Sequence, residues 1–426
     1  MEVIEKHESK VRAYCRNFPV LFDTASGARL RTDDGREYID FFSGAGALNY
    51  GHNPPDIKRR LIEYLESDGI VHGLDMATTA KERFIERFHD VILAPRGMKH
   101  KMLFPGPTGT NAVEAAIKLA RLATGREGIV GFTNAFHGMT LGALALTGDA
   151  TKREGAGIPL AHVVRMPYAD YLGDDMDTLA YLERCLKDDG SGVDLPAAVI
   201  VETIQGEGGL NAASFPWLRR LEKICRRHGM LLIVDDIQAG CGRTGPFFSF
   251  EPAGIEPDIV CLSKSLGVYG LPLAVTLVKP EYDRFSAGQH NGTFRGNNLA
   301  FVAATEALSY WENDDLSTDV TRKAAVVRGF LCDLVKRHDD LDGARRGRGL
   351  MQGVAFEDDG FAQDVCAAAF ERGLLMETSG ANSEVMKLMP PLTIDDTDLK
   401  EGLKIVSEAV DRARAVRRRN KTRDVA

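Results

Sequence analysis

The sequence is poor in cysteine and contains no long apolar run. Its seven cysteines show no C-x-x-C spacing and no histidine cluster nearby, which argues against a disulfide framework and a zinc site. No apolar stretch approaches the roughly 18 residues of a membrane-spanning helix. The charged first residues lack the apolar core of a secretory signal. We therefore expect a cytoplasmic protein that has neither a bound metal nor a membrane partner.

An excess of positive charge is also missing. The formal net charge is -8, so no global attraction draws the chain to nucleic acid or anionic membranes. A length of 426 residues is enough for two or three domains at about 150 residues each. The chemistry must therefore be read from local motifs.

Short apolar segments alternate with helical patterns through the middle of the chain. This alternation predicts βαβ units and an α/β fold with a mainly parallel sheet covered on both faces. The predicted strands are Lys101–Phe104, Ile129–Phe132, Ala197–Glu202, Leu231–Val234, Asp258–Leu262 and Leu273–Val278. Glu202, Asp235 and Lys264 each end or follow a strand, so we expect them to gather at the carboxyl edge of the sheet, where ligands bind.

The character of the chain changes after residue 312. Longer helical patterns flank strand-like segments at 349–356 and 373–377, which is typical of a smaller α+β domain. We predict a large domain over residues 46–312 and a small domain over 313–426. The N-terminal segment, 1–45, contains a hairpin pattern and is predicted to pack with the small domain.

Lys264 and Asp235 carry the strongest chemical signal. A lysine amine at a strand end can form an imine with an aldehyde, and a carboxylate on a nearby parallel strand can hold a protonated pyridine nitrogen. Together they predict a pyridoxal phosphate site. An isolated lysine at a strand end more commonly reaches solvent. The pair Asp235–Asp236 would suit a metal, but no third ligand is spaced nearby.

Two weaker motifs support the same site. The segment Pro105–Glu114 leads from a strand into a helix, and the unpaired N–H groups at the helix start would favour a phosphate. A simple helix cap is the other interpretation of this segment. Phe136 follows the next strand and would stack on a pyridine ring, or it would belong to the core.

The segment Val234–Gly245 resembles the signature of the class III aminotransferases, which are pyridoxal phosphate enzymes of fold type I. The interval from Asp235 to Lys264 also matches that family. The resemblance implies a large domain with a seven-stranded-type sheet plus a smaller α+β domain. It implies catalytic roles for Lys264, which carries the cofactor and moves a proton, and for Asp235 on the ring nitrogen.

The same resemblance implies further cofactor contacts. Gln238 would bind the ring oxygen, Phe136 would stack on the ring, and Thr293 would reach the phosphate of a neighbouring subunit. That last contact implies a homodimer or a dimer of dimers with shared active sites. The full set of implied cofactor-binding residues is Lys264, Asp235, Gln238, Phe136, His137, Gly109, Thr110, Thr293 and Glu202.

Departures from the family pattern bear on the substrate. Lys387 stands where carboxylate-binding members carry an arginine, and lysine cannot form the planar bidentate fork. Glu207 resembles the glutamate that pairs with that arginine. The predicted substrate residues are Lys387, Glu207 and Arg295, of which Arg295 is an alternative holder of the substrate carboxylate. Ala45 and Met139 occupy the places of a tyrosine and an arginine in ornithine-type members, which argues against ornithine.

Five segments resemble the branch of the family that forms diaminobutyrate: 41–52, 69–76, 104–110, 292–296 and 387–394. The implied reaction transfers the amino group of L-glutamate to L-aspartate 4-semialdehyde and gives L-2,4-diaminobutyrate and 2-oxoglutarate, as in ectoine synthesis. The alternatives are another ω-aminotransferase, for GABA or acetylornithine, an aminomutase that needs no 2-oxoglutarate, or a non-catalytic binder. One departure is Val268, where a glycine is expected.

Overall fold

A computed structural model of the chain describes residues 2–173 and 176–424. Its strands, β1 to β17 in chain order, are Phe22–Ser26, Arg29–Thr32, Glu37–Asp40, Lys101–Leu103, Ile129–Phe132, Val163–Met166, Ala198–Val201, Ile204–Gln205, Asn211–Ala212, Leu231–Asp235, Ile259–Leu262, Val275–Val278, Ala344–Arg348, Met351–Ala355, Leu374–Leu375, Glu377–Ser379 and Val385–Leu388. The helices, α1 to α14, are Glu2–His7, Tyr14–Asn17, Ser43–Gly46, Pro55–Glu66, Thr79–Phe88, Gly109–Thr124, Leu141–Leu146, Ala150–Arg153, Thr178–Lys187, Phe215–His228, Asn298–Ala307, Asp315–Arg337, Phe361–Phe370 and Asp396–Asp424.

A seven-stranded sheet forms the centre of the molecule. Its strand order is β4-β12-β11-β10-β7-β5-β6. The pairs from β11 to β6 are parallel, and β12 runs antiparallel to both of its neighbours. Strands β5, β7, β10, β11 and β12 are buried along their whole length, as expected for a sheet with covered faces. The predicted α/β fold class is confirmed.

Six of these seven strands coincide with the predicted ones to within a few residues. The seventh, β6, was not predicted. It lies at the sheet edge and is only partly buried over most of its length. A partly buried edge strand of four residues lacks the continuous apolar run that marks the central strands.

A second sheet, β13-β14-β17-β16, is antiparallel throughout. Strands β16 and β17 pair so that Glu377 lies opposite Lys387. Strand β13, at the other edge of this sheet, is rich in arginine, and neither it nor β17 was predicted as a strand. The sheet therefore brings two charged residues into register that are not close in sequence.

The N-terminal strands pair with a strand from the C-terminal part of the chain. Strands β1, β2 and β3 are antiparallel, and β3 runs parallel to β15 with Ile39 opposite Leu374. The predicted hairpin is therefore present. The domain boundaries at 45/46 and 312/313 stay a prediction. Among residues 2–173 and 176–424, no helix is both long and apolar enough to cross a bilayer.

Candidate active site

A cavity of about 310 Å³ opens where the parallel strands of the large sheet end. Parallel strands collect their carboxyl ends at one edge, so residues from distant segments meet there. Nine predicted site residues line it: Gly109, Thr110, Phe136, His137, Glu202, Glu207, Asp235, Gln238 and Lys264. The sheet topology thus places most of the predicted set around one space.

Lys264 begins the short 3-10 turn Lys264–Gly267 that follows β11. Its backbone φ is +48°, an uncommon conformation for a residue with a side chain. Burial lowers the pKa of its amine, and the Lys387 ammonium adds to this effect, whereas Glu207, Glu377 and Asp235 oppose it. A lowered pKa increases the share of neutral, nucleophilic amine.

Asp235 is the last residue of β10 and is 5% exposed. Its Oδ2 lies 2.7 Å from Nδ1 of His137, while Nε2 of that histidine is buried without a hydrogen-bond partner. Burial opposes charge on His137, but the Asp235 carboxylate outweighs it and raises the pKa of the imidazole. The carboxylate at the strand end is therefore oriented by a buried histidine.

Asp236 faces away from this arrangement. Its carboxylate accepts hydrogen bonds from the backbone N–H and the hydroxyl of Ser249. Burial raises the pKa of Asp236 to about 7. Adjacent residues at a strand end point to opposite faces, so only Asp235 borders the cavity, as the sequence predicted.

Glu202 follows β7 beside the aspartate. Its carboxylate accepts hydrogen bonds from the backbone N–H groups of Phe136 at 3.0 Å and Gly206 at 3.4 Å. Burial raises the pKa of Glu202 to about 7, with His137 opposing and Asp235 adding to the shift. The side chain fixes the loop that carries Phe136.

The amino terminus of α6 forms another wall of the cavity. Thr108, Gly109 and Thr110 lie there, and the Thr110 hydroxyl is 2.6 Å from that of Thr140. A Cβ at Gly138 would lie 2.3 Å from Thr110 Oγ1, so only glycine allows this close approach. The free N–H groups and the dipole at the start of a 16-residue helix favour a phosphate.

Phe136 and Gln238 border the space between these groups. The Lys152 ammonium lies 4.7 Å from the centroid of the Phe136 ring. Nε2 of Gln238 donates to the Ala45 carbonyl at 3.0 Å and to Glu207 at 3.1 Å. Its Oε1 is buried without a hydrogen-bond partner, which leaves an acceptor for a ligand hydroxyl.

Lys387 lies behind Glu207 and is completely buried. Its Nζ is 3.1 Å from Glu207 Oε1 and 2.8 Å from Glu377 Oε1. Burial opposes charge here, but the two carboxylates outweigh it and raise the pKa of the ammonium. In turn, burial opposes charge on Glu207, but the two lysine ammonium groups lower its pKa to about 2.

Besides Lys387, two predicted residues lie outside the cavity of the single chain. Thr293 is exposed, and its carbonyl accepts a hydrogen bond from Nε2 of His72 at 2.8 Å. Arg295 donates to the His290 carbonyl at 3.2 Å and to Asn291 at 3.1 Å, within its own loop. Their predicted contacts with a neighbouring phosphate and with substrate stay predictions.

Three further positions depart from the family pattern: Met139, Ala45 and Val268. Met139 lines the cavity and is 54% exposed. Ala45 lies in a turn of four successive residues with positive φ, Ser43–Gly46, of which two are not glycine. Val268 has φ +47° and ψ 168°, a region that is favourable for glycine alone.

Sequence reasoning missed Glu377 and Lys152. Glu377 is close to Lys387 only through the register of β16 and β17, and no local motif marks it. Lys152 belongs to the four-residue helix α8 and contacts Phe136 through the folding of a loop. Both need the tertiary structure to be recognised.

The residues present fit pyridoxal phosphate. A buried amine of lowered pKa, an oriented carboxylate, a buried amide oxygen without a partner and a helix amino terminus line one cavity. These groups match an aldehyde, a pyridine nitrogen, a ring hydroxyl and a phosphate. Such a site on a mainly parallel seven-stranded sheet defines the class of fold-type I pyridoxal phosphate transferases.

Comparison with known proteins identifies the family of this chain. Residues 11–410 match the family described as aminotransferase class-III. A diaminobutyrate–2-oxoglutarate transaminase from Halalkalibacterium halodurans is 60% identical over 410 residues, with 96% of each chain covered. One from Nocardia farcinica is 57% identical over 410 residues, with 96% of this chain and 94% of the relative covered. This chain belongs to the class III aminotransferase family.

Solved structures agree with this assignment. The ornithine aminotransferase from Toxoplasma gondii superposes with a TM-score of 0.85 at 26% identity, and the match covers 98% of this chain and 95% of that chain. The acetylornithine aminotransferase from Elizabethkingia anophelis gives a TM-score of 0.78 at 26% identity, covering 96% and 97%. The fold is thus shared along nearly the whole chain.

Proposed function

We propose that this chain is a pyridoxal phosphate-dependent transaminase that moves the amino group of L-glutamate to L-aspartate 4-semialdehyde. The products are L-2,4-diaminobutyrate and 2-oxoglutarate. The observation that carries the proposal is near full-length similarity to diaminobutyrate–2-oxoglutarate transaminases, from 55% to 60% identical over at least 96% of this chain. As the sequence resemblance implies, the product would serve ectoine synthesis.

The cavity residues would hold the cofactor by complementary groups. Lys264 would carry it, Asp235 would hold the protonated ring nitrogen, Gln238 would meet the ring hydroxyl, and Gly109 and Thr110 would bind the phosphate. Phe136, His137 and Glu202 would position these contacts. When bound, pyridoxal phosphate supplies an aldehyde that accepts the amino group and a ring that takes up the electron pair released by proton removal.

The proton transfers fall to Lys264. As a neutral amine, its Nζ removes the proton from the substrate carbon that carries the amino group and returns it later in the transfer. Acid–base catalysis of this kind typically contributes about 10²- to 10⁴-fold. Burial, which lowers the pKa of Lys264, keeps more of the amine in the form that can accept a proton.

The substrate end of the cavity suits both half-reactions. Glu207 faces an amine-ended substrate while it pairs with Lys387 at 3.1 Å. When a carboxylate-ended substrate binds, Glu207 would turn away and leave Lys387 to that carboxylate. Met139, which lines the cavity, offers no charge to the carboxylate of ornithine.

The assembly and the compartment belong to the same proposal. Thr293 and Phe294 lie in an exposed loop, and Phe294 is 68% exposed. A homodimer or a dimer of dimers would bury this loop and bring Thr293 to the phosphate of the neighbouring site. The sparse, unpaired cysteines fit a reducing cytoplasm.

A coupled assay on the purified protein tests the reaction. Diaminobutyrate and 2-oxoglutarate are supplied, ornithine, GABA and acetylornithine are tried in parallel as amino donors, and glutamate is measured. We expect glutamate from diaminobutyrate alone. Turnover with only another amine would discard the substrate assignment and keep the cofactor chemistry. Product formation without 2-oxoglutarate would favour an aminomutase.

A further inference from the structure

Lys387 is shared by two carboxylates, although one would neutralise its charge. Its Nζ lies 3.1 Å from Glu207 and 2.8 Å from Glu377. Glu377 is 6% exposed, and Lys387 is completely buried. Glu207 faces the cavity, whereas Glu377 approaches the ammonium from the neighbouring strand, as its register partner. The two carboxylates therefore occupy different positions around one cation.

Glu377 has charged and titratable neighbours from several elements. Tyr14 of α2 and Cys366 of α13 interact with its carboxylate, and Glu207, Lys387 and Lys264 act on it from the site. Tyr14 and Cys366 are neutral at ordinary pH, and burial raises the pKa of each further. Among the described residues that act on Glu377, the close cation is therefore Lys387, and the amine of Lys264 is the one other basic group.

The charge balance changes when a dicarboxylate binds. By the proposed function, the α-carboxylate of glutamate or 2-oxoglutarate takes the place of Glu207 at Lys387. Displaced Glu207 keeps its charge nearby, so three carboxylates then share one buried ammonium. Uncompensated charge in such surroundings is costly, and buried groups commonly avoid it by changing their protonation.

We propose that Glu377 takes up one proton from solvent when a substrate carboxylate replaces Glu207 at Lys387, and releases it when that substrate leaves. With an amine-ended substrate, Glu207 stays in place and Glu377 stays ionised. Glu377 is thus a positioning residue whose charge differs according to which of the two substrates is bound. The inference deepens the proposed function and rests on it for the identity of the two substrates.

The titration behaviour of the three groups agrees with this division of roles. Burial raises the pKa of Glu377, and Glu207 adds to the shift while Lys387 opposes it. The pKa of Glu207, by contrast, is lowered to about 2, because the ammonium groups of Lys387 and Lys264 outweigh the effect of burial. Of the two carboxylates, Glu377 is therefore the one that protonates more readily.

Kinetics against pH test the proposal on the holoenzyme. In the wild type, the KM for glutamate should rise with pH, by up to about tenfold per pH unit if one proton is coupled to binding. Glu377→Gln should flatten this slope and leave the pH dependence of the KM for diaminobutyrate unchanged. The matched control is Glu384→Gln, since that glutamate lies near the same strands but faces Arg346 at 3.8 Å.

Calorimetry gives a readout that is independent of turnover. Binding of glutarate, a dicarboxylate with no amino or keto group that could react, to the holoenzyme is measured in two buffers with different ionisation enthalpies. The wild type and Glu384→Gln should take up close to one proton per site at a pH where free Glu377 is ionised, and Glu377→Gln should take up none. Equal uptake in Glu377→Gln and the wild type, or no uptake in the wild type at any pH, would overturn the proposal.

The two hypotheses fail in different ways. If diaminobutyrate is not a substrate, the proposed function fails, but proton uptake with glutarate still reports on Glu377. If diaminobutyrate is turned over and the glutamate KM shows the same pH slope in Glu377→Gln as in the wild type, the role of Glu377 fails alone.

Discussion

Two buried lysines show how the same side chain is given opposite properties. Lys264 lies in a turn at the end of a parallel strand, and burial lowers the pKa of its amine. Lys387 lies within an antiparallel strand, and two carboxylates raise the pKa of its ammonium although it is fully buried. Burial alone therefore does not decide whether a lysine is reactive or stays charged. The distance from its nitrogen to the nearest carboxylates decides this.

Replacement of the reactive lysine should have the largest effect. Lys264→Ala should lower kcat by at least about 10³-fold, a loss within the range that acid–base catalysis contributes. It should also remove the visible absorbance of lysine-bound cofactor. Lys264→Arg keeps a positive charge but cannot form an imine. It should be equally inactive, whereas substantial turnover in either variant would show that the reactive amine lies elsewhere.

Replacement of the carboxylate that would face the pyridine ring should have the next largest effect. Asp235→Asn keeps the shape but removes the charge that would hold a protonated ring nitrogen. We expect kcat to fall on the order of 10²- to 10³-fold, the range for loss of one preorganised stabilising group. Asp236→Asn is the matched control, because its carboxyl group is bound to Ser249 outside the cavity. If both variants lost kcat equally, Asp235 would have no special role.

The sequence predicts the Lys264 side of this comparison better than the Lys387 side. Lys264 and Asp235 follow continuous apolar strands, so their meeting at one edge follows from the βαβ pattern. The pair of Lys387 and Glu377 depends on the register of two short strands, and β17 itself was not recognised. Local patterns reveal strand ends, but they do not reveal which strands become neighbours.

The remaining gaps have a similar physical origin. The edge strand β6 is only partly buried, so hydrophobicity does not mark it. Thr293 and Arg295 lie away from the cavity of one chain, so their roles depend on contacts that a single chain does not contain. Family resemblance supplied Thr293, and the residue patterns alone would not have done so.

Loss of the Lys387 cation should destabilise the fold, because two carboxylates surround it. Lys387→Met leaves Glu207 and Glu377 without the ammonium that they share, which should cost about 3–5 kcal/mol of unfolding free energy at neutral pH. Lys387→Arg keeps the charge and should lose much less. Chemical denaturation of both variants measures the difference, and equal stabilities would show that the ion pairs contribute little to folding.

The pH dependence of that loss has a definite sign. In the wild type, the pKa of Glu207 is lowered from 4.5 to about 2, so its contribution to stability is present above pH 4.5 and is lost as the pH falls toward 2. Without the Lys387 ammonium, burial dominates and favours the neutral acids. The deficit of Lys387→Met should therefore shrink on acidification.

Replacement of a third lysine, Lys152, should have the smallest effect, because its ammonium is partly solvated. Lys152 is half-buried, with its ammonium 4.7 Å from the centroid of the Phe136 ring and 3.6 Å from Asp149. A partly solvated cation over an aromatic ring is worth about 0.5–1 kcal/mol, so Lys152→Met should weaken cofactor binding by no more than about fivefold.

The matched control for Lys152 lies outside the cavity. Lys118 lies 5.7 Å from the centroid of the Phe285 ring, so Lys118→Met removes a similar contact without touching the site. Cofactor dissociation constants of both variants, measured by absorbance titration, separate the two positions. A loss of much more than tenfold in Lys152→Met would mean that its charge acts on the cofactor itself, because support of Phe136 by a solvated ammonium cannot supply that much free energy.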